Sequence, residues 1–414
     1  MRGWLGPLAF CLIGCGPRPD PVVVPGVFRW KNDPALGPAE RAALAAHGPQ
    51  RVYVKVLDID AHPTLGAAPV STVPCPRNGL PPGTELVPSI YITERTLVRL
   101  DDAGADTLAM RLLRKLRTLC PAPVHGVMLD MDWTDRSRDR FFRLARTIAD
   151  STDVPVTATI RLHQLARPQR TGVPPVDRGL LMPYNIGRVD EPGTANSIFD
   201  RKAAEPYFRS GAYPLPLDIA LPAFSWGAQF RKDRFVGLLP EDLLDDALRR
   251  GLLRGDTLGL MQVVREDNAH RPELHLGDVV RVERMTPERI ARAADLARTA
   301  ANTDTVAVVF FELGAPTFQR LPAPFTARTV RMFGTVRAPG AACWPAPGGC
   351  TATAARAGRT MHGMRPSCAR SPSITTSLSP CWKSRTRRPL SNTWSGHGGQ
   401  RMGTIHGATR TAAC

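Results

Sequence analysis

His125-Gly126-Val127-Met128-Leu129-Asp130-Met131-Asp132-Trp133-Thr134 begins as a buried strand and ends in acid. Val127, Leu129 and Met131 make one apolar face, and Asp130 and Asp132, two residues apart, share the other. Two carboxylates on one side of a buried strand are costly unless paired, hydrogen-bonded or used. The C-terminal end of a strand is also where parallel α/β folds place their chemistry. The competing reading is plainer: Asp and Thr are ordinary cap residues, and the pair could simply start the next helix.

Seven more segments read as strands around this one. They are 22–30, 51–60, 86–92, 154–163, 179–185, 217–226 and 305–312, each rich in Val, Ile, Leu, Phe or Thr. Helices are expected between them at 38–47, 106–119, 137–149, 197–208, 240–250 and 287–299, the last two opening on Pro240 and Pro287. The stretch Gly255–Glu283 is irregular and suggests a small hairpin insertion around Val279–Val282. Eight strands alternating with helices predict an α/β (β/α)8 TIM-like barrel. An open doubly wound sheet is the alternative, but no Gly-rich dinucleotide loop follows the first strand.

The ends of the chain differ from this body. Arg2, the apolar run Trp4–Ile13 and then Leu12-Ile13-Gly14-Cys15 have the form of a signal peptide with a bacterial lipobox. The reading divides the chain into a signal (1–15), a Pro-rich tether (16–25), the barrel (26–335) and a disordered basic tail (336–414). Cys15 is the expected lipidation site. The protein is expected to be exported and lipid-anchored on the cell envelope, with Gly16 after the cysteine favouring the outer membrane. The apolar run is too short to span a bilayer. An ordinary secretory signal, or a chance apolar start, is the alternative. Eleven of the 54 Lys and Arg residues and none of the 37 acids lie from Val336 onward, so the formal charge of +17 falls to +6 without them. The basic balance belongs to a tail and does not predict a nucleic-acid partner. That tail, with five of the nine cysteines, reads as sequence in a shifted frame or as a flexible extension. Cys75 and Cys120 remain in the body, either bridged or free, and no cysteine spacing suggests zinc.

Polar and acidic groups collect at the expected C-terminal strand ends: Asp58, Asp60, Asp130, Asp132, Arg161, His163, Tyr184, Asn185, Trp226 and Glu312. In a barrel these ends converge on one mouth. Carboxylates beside aromatic faces suit carbohydrate, and glycoside cleavage needs a carboxylic acid to protonate the leaving oxygen. No cofactor is called for. Singly, each group has a structural reading: Arg161 neutralising an aspartate, His163 and Trp226 as core, Asp58 and Asp60 capping a loop. Asp218 comes too early in its strand to reach the mouth and reads as structural. A metal-assisted hydrolase built on Asp58, Asp60, Asp130, Asp132 and His163 is a further alternative, and a non-catalytic glycan-binding or scaffold lipoprotein another.

The organising strand resembles the fourth-strand motif of the chitinase-like glycoside hydrolases, Asp-Gly-x-Asp-x-Asp-x-Glu. With Gly126 on the motif glycine, Asp130 takes the last aspartate and Asp132 the catalytic glutamate, while His125 and Met128 replace the other two aspartates. Met182-Pro183-Tyr184-Asn185 is similar to that family's Met-x-Tyr-Asp, which holds the substrate 2-acetamido group. A second resemblance is to a family of uncharacterised bacterial lipoproteins with barrel folds. It rests on Asp130-Met131-Asp132-Trp133-Thr134, Thr159-Ile160-Arg161-Leu162-His163-Gln164, Gly172-Val173-Pro174-Pro175-Val176-Asp177 and Ala220-Leu221-Pro222-Ala223-Phe224-Ser225-Trp226. It covers most of Trp30–Leu313 and implies export and fold, with no activity attached.

Together these readings make Asp132 the proton donor and Asp130 the group that tunes it. Tyr184 and Asn185 orient a substrate group, and Arg161, His163, Trp226, Asp58, Asp60 and Glu312 line the binding site. Neighbouring like charges make one carboxyl hold its proton more tightly. The assignment to Asp132 requires that Arg161 point away from it or favour Asp130. The partners expected are a glycan and, through the anchor, a membrane.

Overall fold

The computed structural model describes residues 20–76, 78–256 and 259–338. The signal and lipidation expectations at 1–15 and nearly all of the basic tail lie outside them. Strand β1 (Val22–Arg29) is followed by β2 (Arg51–His62), which folds back through an antiparallel arm, β3 (Gly66–Thr72). Then come β4 (Glu85–Ile92), β5 (Val127–Asp130), β6 (Val156–Arg161), β7 (Arg178–Met182) and β8 (Leu217–Pro222). Five antiparallel strands intervene, β9 (Trp226–Arg231), β10 (Arg234–Pro240), β11 (Leu253–Gly255), β12 (Leu260–Val263) and β13 (Val279–Glu283). The last strands are β14 (Thr305–Phe311) and β15 (Thr335–Val336).

Neighbours run β1-β14-β8-β7-β6-β5-β4-β2, and β2 pairs back onto β1, so eight parallel strands close into a (β/α)8 barrel. All eight are the segments expected from sequence. The helices are α1 (Pro38–His47), α2 (Glu94–Val98), α3 (Asp102–Leu119), α4 (Arg138–Asp150), α5 (Leu162–Ala166), α6 (Pro168–Thr171), α7 (Arg201–Ala204), α8 (Glu241–Arg249), α9 (Pro287–Ala297), α10 (Pro316–Gln319) and α11 (Ala323–Arg331). α3 shows why such segments fold as they do. Asp101 caps it by accepting from Gly104 N at 2.7 Å, and Leu108, Leu112, Leu113 and Leu116 bury one stripe on the barrel wall. Cys120, just past its end, is disulfide-bonded to Cys75, which settles the open cysteine question.

Several expectations shift. β1 begins at Val22, so the end of the expected tether, 22–25, is barrel strand, and Thr335–Val336 pair beside Val22 and Val23, which carries the barrel past 335. The expected helix 197–208 is only α7 and a short 3-10 turn, Glu205–Arg209. The hairpin insertion is a five-stranded sheet from Trp226 to Glu283, packed with α8 around its own core of Leu239, Leu244, Leu252, Met261, Val263, Val280 and Val282. Sequence reading missed it because its strands are short and only three residues separate the end of β8 from the start of β9.

The N-terminal end of the barrel is plugged by buried charge. Arg178 forks onto Asp218 (2.7 and 3.2 Å), Arg51 meets Glu85 at 2.8 Å, and Arg337 reaches the other Glu85 oxygen at 2.7 Å. Asp218 is therefore structural, as its early strand position implied. Such ions are tolerated indoors only because each finds partners.

Candidate functional site

Parallel register builds the mouth. Asp58 on β2 lies beside Tyr91 on β4, and Tyr91 beside Asp130 on β5. Asp130 is the last residue of its strand and buried, and its Oδ1 accepts from Thr159 Oγ1 at 3.0 Å. The chain then leaves the sheet. Trp133 is buried, stacks on Phe141 with centroids 5.2 Å apart, and donates from Nε1 to Thr171 O at 2.9 Å. That anchor fixes the turn that carries Asp132 over the mouth, where its side chain is 48% exposed.

Arg161, at the end of β6, forks onto Asp132, Nε to Oδ1 at 2.5 Å and Nη2 to Oδ2 at 2.8 Å. The condition for Asp132 as proton donor is therefore not met. Crowding by protein works against the Asp132 charge, but the guanidinium beside it outweighs this and holds the carboxyl below its usual range. Asp130 behaves in the opposite way: burial, reinforced by the Asp132 charge, pushes it up to about 6. The two carboxylates are split, Asp130 raised and Asp132 lowered, which is the opposite sense to that expected.

The remaining expected residues separate into those brought together and those not. Tyr184 is buried in the same electrostatic neighbourhood as Arg161, Asp130 and Asp132, and burial raises its phenol. Its hydroxyl meets no hydrogen-bond partner in the structure. Asp58 pairs with Lys55 at 2.8 Å, leaving its other oxygen without a partner. Glu312, after Phe311 at the end of β14, is half-buried and pushed by burial up to about 7. Asp60 is taken up elsewhere: Arg95 and Thr93 bind it, and the Arg95 hydrogen bonds hold it at about 2, which is the loop-capping role. β6 ends at Arg161, so His163 lies on α5, exposed, and does not share the strand face with Arg161. Asn185 is exposed, with its backbone in the left-handed region at φ 58°. Trp226 does not end a barrel strand; it opens the insertion sheet and donates from Nε1 to Glu283 at 3.0 Å.

What sequence reading missed is the rest of the aromatic lining around Tyr184 and Trp226, namely Trp30, Tyr91, Phe224 and Phe311. Rings run in contact from Tyr91 to Trp30 (5.5 Å), Phe311 (6.2 Å), Tyr184 (5.8 Å), Phe224 (5.6 Å) and Trp226 (5.3 Å). Lys55 sits 4.8 Å above Trp30. Trp30, Tyr91, Phe311 and Trp226 keep partly open faces. The signal was available: Trp30, Tyr91 and Phe311 stand at or just past strand ends, as the acids do. Among the described residues no three His, Cys, Asp or Glu side chains gather as metal ligands, so the carboxylate–histidine set of the metal reading is dispersed.

No family model and no curated protein matches the sequence. Among solved structures, the chain is similar to the spore cortex-lytic enzyme SleL of Bacillus cereus at 13% identity, over 78% of this chain and 76% of that one, with a TM-score of 0.48. It is similar to a chitinase from Bacteroides thetaiotaomicron at 13% identity, over 75% and 96%, TM-score 0.45. A xylanase and alpha-amylase inhibitor protein from Scadoxus multiflorus gives 11%, 76% and 99%, TM-score 0.40. The barrel itself stands on the strand register described above.

Proposed function

We propose that this barrel acts on a glycan as a glycoside hydrolase, with Asp130 as the general acid. The observation that carries the reading is the divided pair: Arg161 keeps Asp132 ionised, while Asp130, buried and bonded to Thr159, retains a proton toward pH 6. Two carboxyl groups driven apart by their surroundings supply an acid and a stabilising anion at one place. The substrate class follows from the lining, since half-open aromatic faces beside carboxylates stack sugar rings and bind their hydroxyls. Tyr184, with a buried hydroxyl lacking a partner, donates to a substrate group. The similarity of Met182-Pro183-Tyr184-Asn185 to the chitinase-like motif makes a 2-acetamido group the natural choice.

The test uses N-acetylated chito-oligosaccharides and peptidoglycan fragments with the full chain. Asp130→Asn preserves size and the bond from Thr159 and should abolish turnover while binding survives. Unchanged turnover in this variant would remove Asp130 from the role. Binding by the wild type with no turnover on any glycan of the panel would select the non-catalytic glycan-binding alternative. A rate that disappears on chelation would favour metal assistance instead.

A further inference from the structure

We infer that the basic last turns of α3, which run toward the N-terminal end of the barrel, dock on an anionic phospholipid surface, so that this end and not the mouth lies nearer the membrane. The chain enters the barrel at that end: Val22 N bonds Asp304 O at 2.8 Å and Thr335 N bonds Pro21 O at 2.9 Å. In a (β/α)8 barrel the helices run back toward the N-terminal ends of the strands, so the last turns of α3 and α11 lie at this end. α3 is polarised along its length. Asp101, Asp102 and Asp106 occupy its mouth end, where Asp102 and Asp106 are paired with Arg143. From Leu108 to Leu119 there is no acid, and Arg111, Arg114, Lys115 and Arg117 are all exposed beside the half-exposed Met110.

Arg111, Arg114, Lys115 and Thr118 follow one stripe, opposite the buried leucines. None of the four cations forms an ion pair among the described residues, and the residues outside the description contain no Asp or Glu. Near the chain's entry, α11 adds exposed Arg328 and Arg331, followed by Met332, 36% exposed. A cationic stripe without counter-charges is what an anionic headgroup layer attracts, at about fivefold in affinity per cation near the surface.

The length of chain at this end fits the same partner. Cys15, the lipobox cysteine, precedes Val22 by seven residues, which span at most about 25 Å when fully extended. An acyl chain on Cys15 would hold this end of the barrel, and not the mouth, at the bilayer, close enough for the stripe to engage across a Debye length of about 8 Å. The inference does not depend on the hydrolase reading, because it concerns a surface remote from Asp130 and Arg161.

The test uses the full acylated chain in vesicles of phosphatidylcholine, with and without phosphatidylglycerol, and headgroup-quencher lipid. A fluorescent unnatural amino acid is placed at Thr118 or, on the mouth side, at Asp135. Quenching at 118 should exceed that at 135, require phosphatidylglycerol and weaken with salt. The set Arg111→Gln, Arg114→Gln, Lys115→Gln and Arg117→Gln retains good helix formers and should lower the lipid-dependent affinity at 118 about tenfold or more. A matched set in the tail, Lys383→Gln, Arg385→Gln, Arg387→Gln and Arg388→Gln, should leave it in place. Equal quenching at 118 and 135, indifference to lipid charge, or loss with the tail set and not the α3 set would each overturn the inference.

Discussion

Arg161 grips both oxygens of Asp132 and leaves Asp130 to Thr159, so neighbouring carboxylates on one segment hold opposite protonation states in mildly acidic solution. Arg161→Gln should therefore act on Asp130 without touching it. With the cation gone and Asp132 still beside it, the Asp130 carboxyl should move above about 6, by roughly one unit. Asp132→Asn should do the reverse, since it removes a like charge and frees the guanidinium. NMR titration of carboxyl-labelled Asp130 reads both shifts without any substrate. Where turnover is measured, the alkaline limb of the pH profile should follow in the same directions. An Asp130 titration indifferent to both substitutions would break the proposed division of roles.

Stability should carry the same signature. Asp130 and Glu312 are raised from 3.8 and 4.5 to about 6 and about 7. Between those limits the folded chain holds protons that the unfolded chain has released. Their contribution is thus greatest below about pH 4 and is lost as pH rises toward 7. Asp60, drawn down to about 2, runs the other way and matters only in stronger acid. His47, lowered by partial burial, and His163, lowered by the protein crowded around its ring, also oppose the trend near neutrality. The clean measurement is therefore a difference. Asp130→Asn should gain up to about 2 kcal/mol on the wild type between pH 4 and 7 in urea melts. A pH-independent difference would mean that Asp130 titrates normally.

The Cys75–Cys120 bridge closes a separation of 45 residues. Loop-closure entropy for such a span is worth about 4 kcal/mol in the chain-entropy model. Reduction, or a Cys75→Ala and Cys120→Ala double variant, should lower the unfolding free energy by roughly that amount. The bridge joins the loop after β3 to the end of α3, away from Asp130, so the fold should persist at moderate temperature. Equal melting with and without reductant would show the pair unbridged in solution.

Glu283 is the hub between barrel and insertion. It accepts from Ser197 N and Oγ at 2.7 Å and from Trp226 Nε1 at 3.0 Å, and it pairs with Arg281 at 2.7 Å. Glu283→Gln leaves the Arg281 charge buried without its counter-ion and should cost about 3 kcal/mol. Glycan binding should weaken as Trp226 loses its orientation. If binding is unchanged while stability falls, Trp226 is not part of the sugar platform.

Periodicity alone placed all eight barrel strands, because a strand buried on both faces must be a short apolar run wherever it sits. It also marked Asp130, Asp132 and Arg161, because polar groups at the end of such a run need a reason to be there. The early position of Asp218 sufficed to make it structural. What no local pattern held was pairing. Arg161 and Asp132 are 29 residues apart, and only the β5–β6 register and the Trp133 anchor decide that the guanidinium chooses Asp132 over Asp130. The same holds for the aromatic lining, whose members from Trp30 to Phe311 meet only when β1 and β14 close the barrel. The insertion sheet was lost for a related reason: its strands are short, and only three residues separate the end of β8 at Pro222 from the start of β9 at Trp226. Sequence determined which groups had to be accounted for in the interior. Tertiary structure decided which of them found partners, and therefore which carboxyl keeps its proton, since burial and neighbouring charge act through space and not along the chain.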